Sequence, residues 1–222
     1  MKNSYTVQRE KIIFRRAKED DDFSEIAKLI YDTDPYIYPF WFNNDIEAAI
    51  NYLKERIKED KYFFNYNNLY VAYDEDTEKI IGVICAVDKS VDLDYDYKKD
   101  QEINHNYYFT IENYIKELIK EVKENNFLYI SNVCINRNYR GKKIGTHLLG
   151  YYIYQMEKAG FDEIALDCLL HNLRAKNLYH RFGFNEMKEI VGFDGTDHSE
   201  VEVVSMKRKK GEYLPEEYKA LL

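Results

Sequence analysis

The spacing of apolar residues changes period several times along the chain, and each change marks an element. KIIFRRA at 11–17 alternates as a strand, and after Asp21 and Asp22 the residues Phe23, Ile26, Ala27, Leu29 and Ile30 recur at helical spacing. A second helix is predicted from Ile46, Ala49, Ile50, Leu53 and Ile57. It follows the aromatic stretch DPYIYPFWF, whose two prolines are expected to break any regular element. LYVAY and KIIGVICAV, joined by the acidic turn DEDTE, predict a hairpin. FLYISNVCI then predicts a buried strand, followed by a helix from about Ile144 to Lys158 that stops at Gly160. EIALDCL predicts the next strand, a helix runs from about Leu173 to Arg181, and strands follow near Phe184–Val191 and Val201–Met206.

This order of elements predicts a mixed α/β fold with about seven strands, in which strand–helix–strand units imply a parallel pair joined by a crossover. The three prolines and the lack of a linker-like tract predict one domain over 1–210 and a tail at 211–222. Residues 88–126 form a long polar insertion with one helix predicted from Ile111, Tyr114, Ile115, Leu118, Ile119 and Val122. The formal net charge of −8 weighs against nucleic-acid binding, which depends on cations neutralising phosphates. No apolar run is long enough to span a bilayer and the N-terminus lacks a secretion-type apolar core, so a cytoplasmic location is expected. Cys85, Cys134 and Cys168 sit apart in apolar strands and are expected to be buried, reduced thiols; no metal site is supported.

One segment departs from the acidic balance. In RNYRGKKIGTHLL, Arg137, Arg140, Lys142 and Lys143 gather between a predicted strand end and a predicted helix start. Gly141 and Gly145 let the backbone approach closely, and the N–H groups of a first helical turn have no helical partner, so the arrangement suits a pyrophosphate. A solvated basic turn would also account for the charges. The spacing matches neither a P-loop nor a dinucleotide fingerprint. Downstream, HNLRAKNLYHRFGF sets Asn172, Ala175, Leu178, Tyr179, Gly183 and Phe184 in step. An amphipathic helix closed by a glycine explains Leu178, Phe182 and Gly183 but leaves Asn172 and Tyr179 unexplained.

Arg140–Gly145 resembles the R-x-x-G-x-G/A signature of the Gcn5-related N-acetyltransferase superfamily, with Lys143 in place of the middle glycine. The 172–184 segment resembles that family's second signature, N-x-x-A-x-x-L-Y-x-x-x-G-F. The resemblance implies the acyl-CoA N-acyltransferase fold, a central mixed sheet flanked by helices. It also implies that acetyl-CoA lies along Val133, Cys134 and Ile135, and on Arg140, Gly141, Lys142, Lys143, Ile144, Gly145 and Thr146, with Asn172, Ala175 and Tyr179 completing its site. A lysine at 143 can supply the main-chain N–H provided its φ is negative. The resemblance further implies that the 127–135 strand splays from EIALDCL.

In this chemistry a neutral amine attacks the thioester directly, and no protein nucleophile is needed. Tyr179 is the family's candidate for the departing thiolate. A phenol near pKa 10 is about 1.5 units weaker an acid than a thiol, so full proton transfer is uphill by about 2 kcal/mol and a hydrogen-bonded thiolate serves as well. An acceptor with a lysine-like pKa of about 10.4 needs a base or a water relay. In the histone-modifying branch that base is a glutamate, at the position held here by Tyr129; Asp167 is a candidate acting through water, with a paired strand carboxylate as the equal alternative. Tyr36 and Trp41, with Asp32 and Asp34 nearby, suit a cationic small-molecule amine, although such rings also serve as packing. A monomer or homodimer is expected. The competing reading is a non-catalytic acyl-CoA-binding sensor, and a basic stripe including KRKK at 207–210 would be needed for RNA binding.

Overall fold

The computed structural model describes residues 5–7, 11–34, 36–91, 120, 127–193 and 200–219. The predicted helix at 111–122 lies, apart from Lys120, outside them. The fold is the expected mixed α/β type, and it divides into two compact units: 1–86 with 132–153, and 87–131 with 154–222.

In the first unit the strand order is β1-β2-β3-β4-β5, where β1 is Tyr5–Val7, β2 Ile12–Arg16, β3 Leu69–Asp74, β4 Lys79–Val87 and β5 Phe127–Ile135. The pairings β1–β2, β2–β3 and β3–β4 are antiparallel, and among the described residues β1 is the strand the apolar pattern did not signal. Helix α1 (Phe23–Tyr31) starts where the Asp22 carboxylate accepts from the Ser24 N–H, and α3 (Ile46–Lys58) starts where Asp45 accepts from Ala48. Their apolar faces, Ile26, Ala27, Leu29 and Ile30 on one and Ala49, Ile50, Leu53 and Ile57 on the other, are buried. Ile46, counted with that face in the sequence, is 58% exposed. The aromatic stretch is not irregular throughout: Ile37–Trp41 forms a short helix, α2, because Pro39 lies in its first turn, where no N–H partner is lost.

Helix α4 (Ile144–Ala159) follows β5, and its Tyr151 lies 6.3 Å from the rings of both Phe14 and Tyr70, on one face of β2 and β3. In the second unit the order is β5-β6-β8-β7, with β6 Glu163–Leu169, β7 Asn185–Phe193 and β8 Glu200–Lys209. β5 and β6 are parallel, as the crossover predicted. Helix α5 (Leu173–His180) ends at Gly183, φ +79°, where the Gly183 and Phe184 N–H groups return to the His180 and Tyr179 carbonyls. Helix α6 (Glu216–Lys219) seats a fully buried Tyr218 5.8 Å from Phe182.

The KRKK run is not solvated throughout, although Lys209 and Lys210 are exposed. Arg208 is 1% exposed and holds three partners: the Glu157 carboxylate at 2.7 Å and the Phe182 and Glu212 carbonyls at 2.9 and 3.1 Å. Lys207 lies over the Phe127 ring and 3.4 Å from Glu163. A buried charge is tolerated only when its partners are all present, so removing Arg208 strands a carboxylate and two carbonyls. Arg208→Met is expected to lower the unfolding free energy by about 3–5 kcal/mol in urea titration. Glu157→Gln, which keeps an acceptor for the guanidinium, is expected to cost clearly less.

Candidate functional site

The basic loop is held by hydrogen bonds within the protein. Asn136 anchors its start: its N–H donates to the Ile81 carbonyl at 2.8 Å, and its side chain accepts from the Asn138 N–H. A 3-10 turn over Arg137–Tyr139 follows, and the Tyr139 hydroxyl donates to Asp74 at 2.8 Å, on the hairpin end of β3. Burial acts to raise the Asp74 carboxyl. Hydrogen bonds from Thr77, Tyr139 and the Asp76 N–H outweigh it and hold the group below its usual value, so Asp74 stays an acceptor. Asp74 was invisible to motif reading, since its partner lies 65 residues away.

The Arg140 guanidinium Nε donates back to the Ile135 carbonyl at 3.0 Å, while Arg137, Arg140, Lys142 and Lys143 are all exposed. Gly141 has φ +85° and Lys143 φ +64°. The condition set for Lys143, a negative φ, is not met: the lysine adopts the left-handed conformation that a glycine adopts freely, at the cost of strain. The first helical bond of α4 runs from the His147 N–H to the Lys143 carbonyl, so the N–H groups of Ile144, Gly145 and Thr146 precede the helical ladder. Left-handed turns, free N–H groups and four cations at the start of a 16-residue helix fit a pyrophosphate.

Gly145 serves packing. A Cβ there would stand 3.2 Å from Ile135 Cγ1, and one on Gly82 of β4, which the sequence reading did not single out, 2.5 Å from Ile135 Cδ1. Cys134 is buried and its thiol is pushed up to about 11 by burial, with Asp32 acting in the same direction against Arg140 and Arg137; it is no nucleophile. The other two cysteines are buried as expected.

Of the aromatic segment, Trp41 meets Tyr38 edge-on and Tyr38 stacks on Tyr31, each at 6.0 Å. Its start is tied to β5, where the Asn132 amide donates to Thr33 at 2.7 Å. The two carboxylates expected to draw a cation are already engaged: Asp34 accepts from the Tyr36 N–H, and Asp32 lies 3.6 Å from Arg137.

In the second unit the β5–β6 ladder spans Phe127–Ile130 against Glu163–Leu166 only, although β5 continues to Ile135 and β6 to Leu169. Asn172 caps α5 by accepting from the Ala175 N–H at 3.2 Å, which explains that residue structurally. Tyr179 is buried against Phe184, and its phenol makes no hydrogen bond among the described residues. Burial, reinforced by Cys168, pushes its pKa well above the ordinary value, so it is a neutral donor. Tyr129 donates to Asp167 at 2.9 Å. Among the described residues no three His, Cys, Asp or Glu side chains group as metal ligands, and no helix is long and apolar enough to cross a membrane.

A family model described as the acetyltransferase (GNAT) family matches residues 32–184. An N-alpha-acetyltransferase 30 from Xenopus laevis is 37% identical over 65 residues, 29% of this chain, so the match spans about a quarter, 24%, of that relative. An N-acetyltransferase structure from Staphylococcus aureus Mu50 superposes with TM-score 0.60 at 21% identity, over 88% of this chain and 99% of its own. A chain of the NatC complex bound to Gag peptide and CoA gives 0.55 at 19% identity, over 89% and 98%.

Relief of the strain at one loop residue is directly measurable. Lys143→Gly is expected to raise stability by about 0.5–1 kcal/mol, hence Tm by about 1–4 °C, in thermal unfolding. Lys143→Val, β-branched at the same φ, is expected to lower it.

Proposed function

The chain belongs to the acetyltransferase (GNAT) family, and on that premise we propose that it transfers the acetyl group of acetyl-CoA to a primary amine by direct attack in a ternary complex. The loop from Asn136 to Thr146 carries this reading, because its two left-handed residues and the N–H groups ahead of the helical ladder suit a pyrophosphate and its exposed cations match the anion's charge. Val133, Cys134 and Ile135, which lead into this loop, would offer main chain to the pantetheine, as the family signature implies. Ala175 remains in this proposal as part of the same family signature. Bound there, acetyl-CoA supplies the activated acyl group; the chain's own residues orient it and handle protons. Tyr179 is proposed to donate to the leaving sulfur, which its buried, neutral, uncommitted phenol suits.

The acceptor proposed first is the α-amino group of a polypeptide, which the similarity to an N-alpha-acetyltransferase supports. A cationic small-molecule amine held by Tyr36 and Trp41 is the second reading, supported by the ring array at Tyr31, Tyr38 and Trp41. The engagement of Asp32 and Asp34 weakens it. A cytoplasmic location fits three buried thiols.

A Cβ at position 141 would meet nothing within 4 Å, so Gly141→Asp is expected to fold, at a cost from its positive φ alone. Calorimetric titration should then show CoA affinity reduced by about a hundredfold or more, because a carboxylate replaces open space beside the phosphates. Unchanged affinity in the folded variant would remove the pyrophosphate assignment.

For Tyr179→Phe, steady-state turnover is expected to fall by about 10–100-fold while the acetyl-CoA Kd moves less than about threefold. Equal losses would make Tyr179 a binding residue.

A further inference from the structure

One face of the second unit's sheet carries polar side chains in a row. Asp167 is the first residue of β6 beyond its last pair with β5, it accepts from the Tyr129 phenol at 2.9 Å, and it stands opposite Ser205 of β8, which stands opposite Lys188 of β7. The alternate positions Leu166, Cys168, Val204 and Met206 face the other way and are buried. A carboxylate placed at the carboxyl end of a parallel pair, just where the ladder stops, sits where open α/β sheets take their ligands.

Two roles compete for this carboxylate: a structural ion-pair partner or a proton acceptor. An ion pair would hold its pKa low. Instead burial pushes Asp167 up to about 6, against the opposing pull of Ser205, Lys188 and Lys207. Lys207 is itself shared with Glu163 at 3.4 Å. Among the described residues, the charged and titratable groups acting on Asp167 include Tyr129 from β5, its neighbour Cys168 on β6, Lys188 from β7 and Lys207 from β8, and desolvation outweighs the cations.

We propose that Asp167 is the base that takes the proton of the acceptor's ammonium, and that Tyr129 is the positioning residue that holds its carboxylate; this rests on the acetyl-transfer reading above. An N–H bond of the ammonium breaks, and the proton passes to Asp167 directly or across one water. The freed nitrogen lone pair forms the C–N bond to the thioester carbonyl, the C–S bond breaks, and the nitrogen loses its second proton while the sulfur, leaving as a thiolate, takes one, so the products are the amide, the CoA thiol and the one proton held on Asp167 and released to water. An α-amino group near pKa 7.7–8.0 gives up its proton a few hundredfold more readily than an ε-amino group near 10.4, whichever base takes it, so an α-amino acceptor asks less of Asp167.

The test compares wild type, Asp167→Asn and Tyr129→Phe from pH 5 to 10, with acetyl-CoA and either a short peptide bearing a free α-amino group or spermidine. Wild type is expected to show kcat rising through an apparent pKa near 6. Asp167→Asn should lose about a hundredfold in kcat at pH 7 and lack that limb, with the deficit narrowing as pH passes the amine's own pKa and acetyl-CoA affinity unchanged by calorimetry. Tyr129→Phe, which removes an O–H donor that favours the charged carboxylate, should lose under about tenfold and move the limb to higher pH, a shift a merely structural role would not produce. Asp167→Asn with the wild-type limb, Asp167→Asn with collapsed acetyl-CoA affinity, or Tyr129→Phe with an unmoved limb would each overturn the assignment. If wild type bound acetyl-CoA but acetylated neither amine, the transfer reading itself would fail, which the variants' behaviour cannot imitate.

Discussion

Ile135 lies between two glycines, and the loop that follows depends on the space they leave. Its Cδ1 occupies the place where a Cβ on Gly82 would stand, 2.5 Å away, and its Cγ1 lies 3.2 Å from where Gly145 would carry one. Close packing of this kind cannot be relaxed by a small shift, because interiors are near crystalline density. Strand β4, the end of β5 and the first turn of α4 are therefore held at one separation. Asn136 adds a main-chain bond to Ile81, and Tyr139 a side-chain bond to Asp74, so the loop is fastened on both sides of Arg137 and just ahead of Arg140, Lys142 and Lys143.

Charge at this loop runs against the charge of the chain. With a formal net charge of −8, an anion approaching the molecule meets average repulsion. The four exposed cations and the helix start reverse that only locally, over roughly one Debye length of about 8 Å at physiological salt. Main-chain N–H groups, which salt does not remove, are then the more durable part of the site. The conformation of Lys143 accords with this: backbone geometry is kept even where the residue is poorly suited to it.

Much of this was legible in the sequence because it is local. Helical periodicity located α1, α3, α4 and α5, and the strand–helix–strand order located the parallel pair. Features set by distant partners were not legible. Arg208 reads as one of four consecutive basic residues until Glu157, 51 positions away, is seen to hold it. The Tyr129–Asp167 contact depends on strand register across a crossover of 38 positions, which no spacing rule supplies. The left-handed φ of Lys143 and the helix through Pro39 are local, but there the chain departs from average propensity, and propensity was the only guide. Asn172 shows the reverse: a residue kept for a ligand in the motif reading also has an ordinary task as a cap.

The first compact unit is discontinuous in sequence, and that shapes how the protein is made. Residues 1–86 require 132–153 to complete them, so the β4 segment KIIGVICAV leaves the ribosome long before β5 can pair with it. The intervening 87–131 stretch takes roughly 2–9 s to translate at about 5–20 residues per second. During that interval an apolar strand edge stands open on the nascent chain, at the stage of biosynthesis when aggregation or chaperone capture competes most strongly with folding.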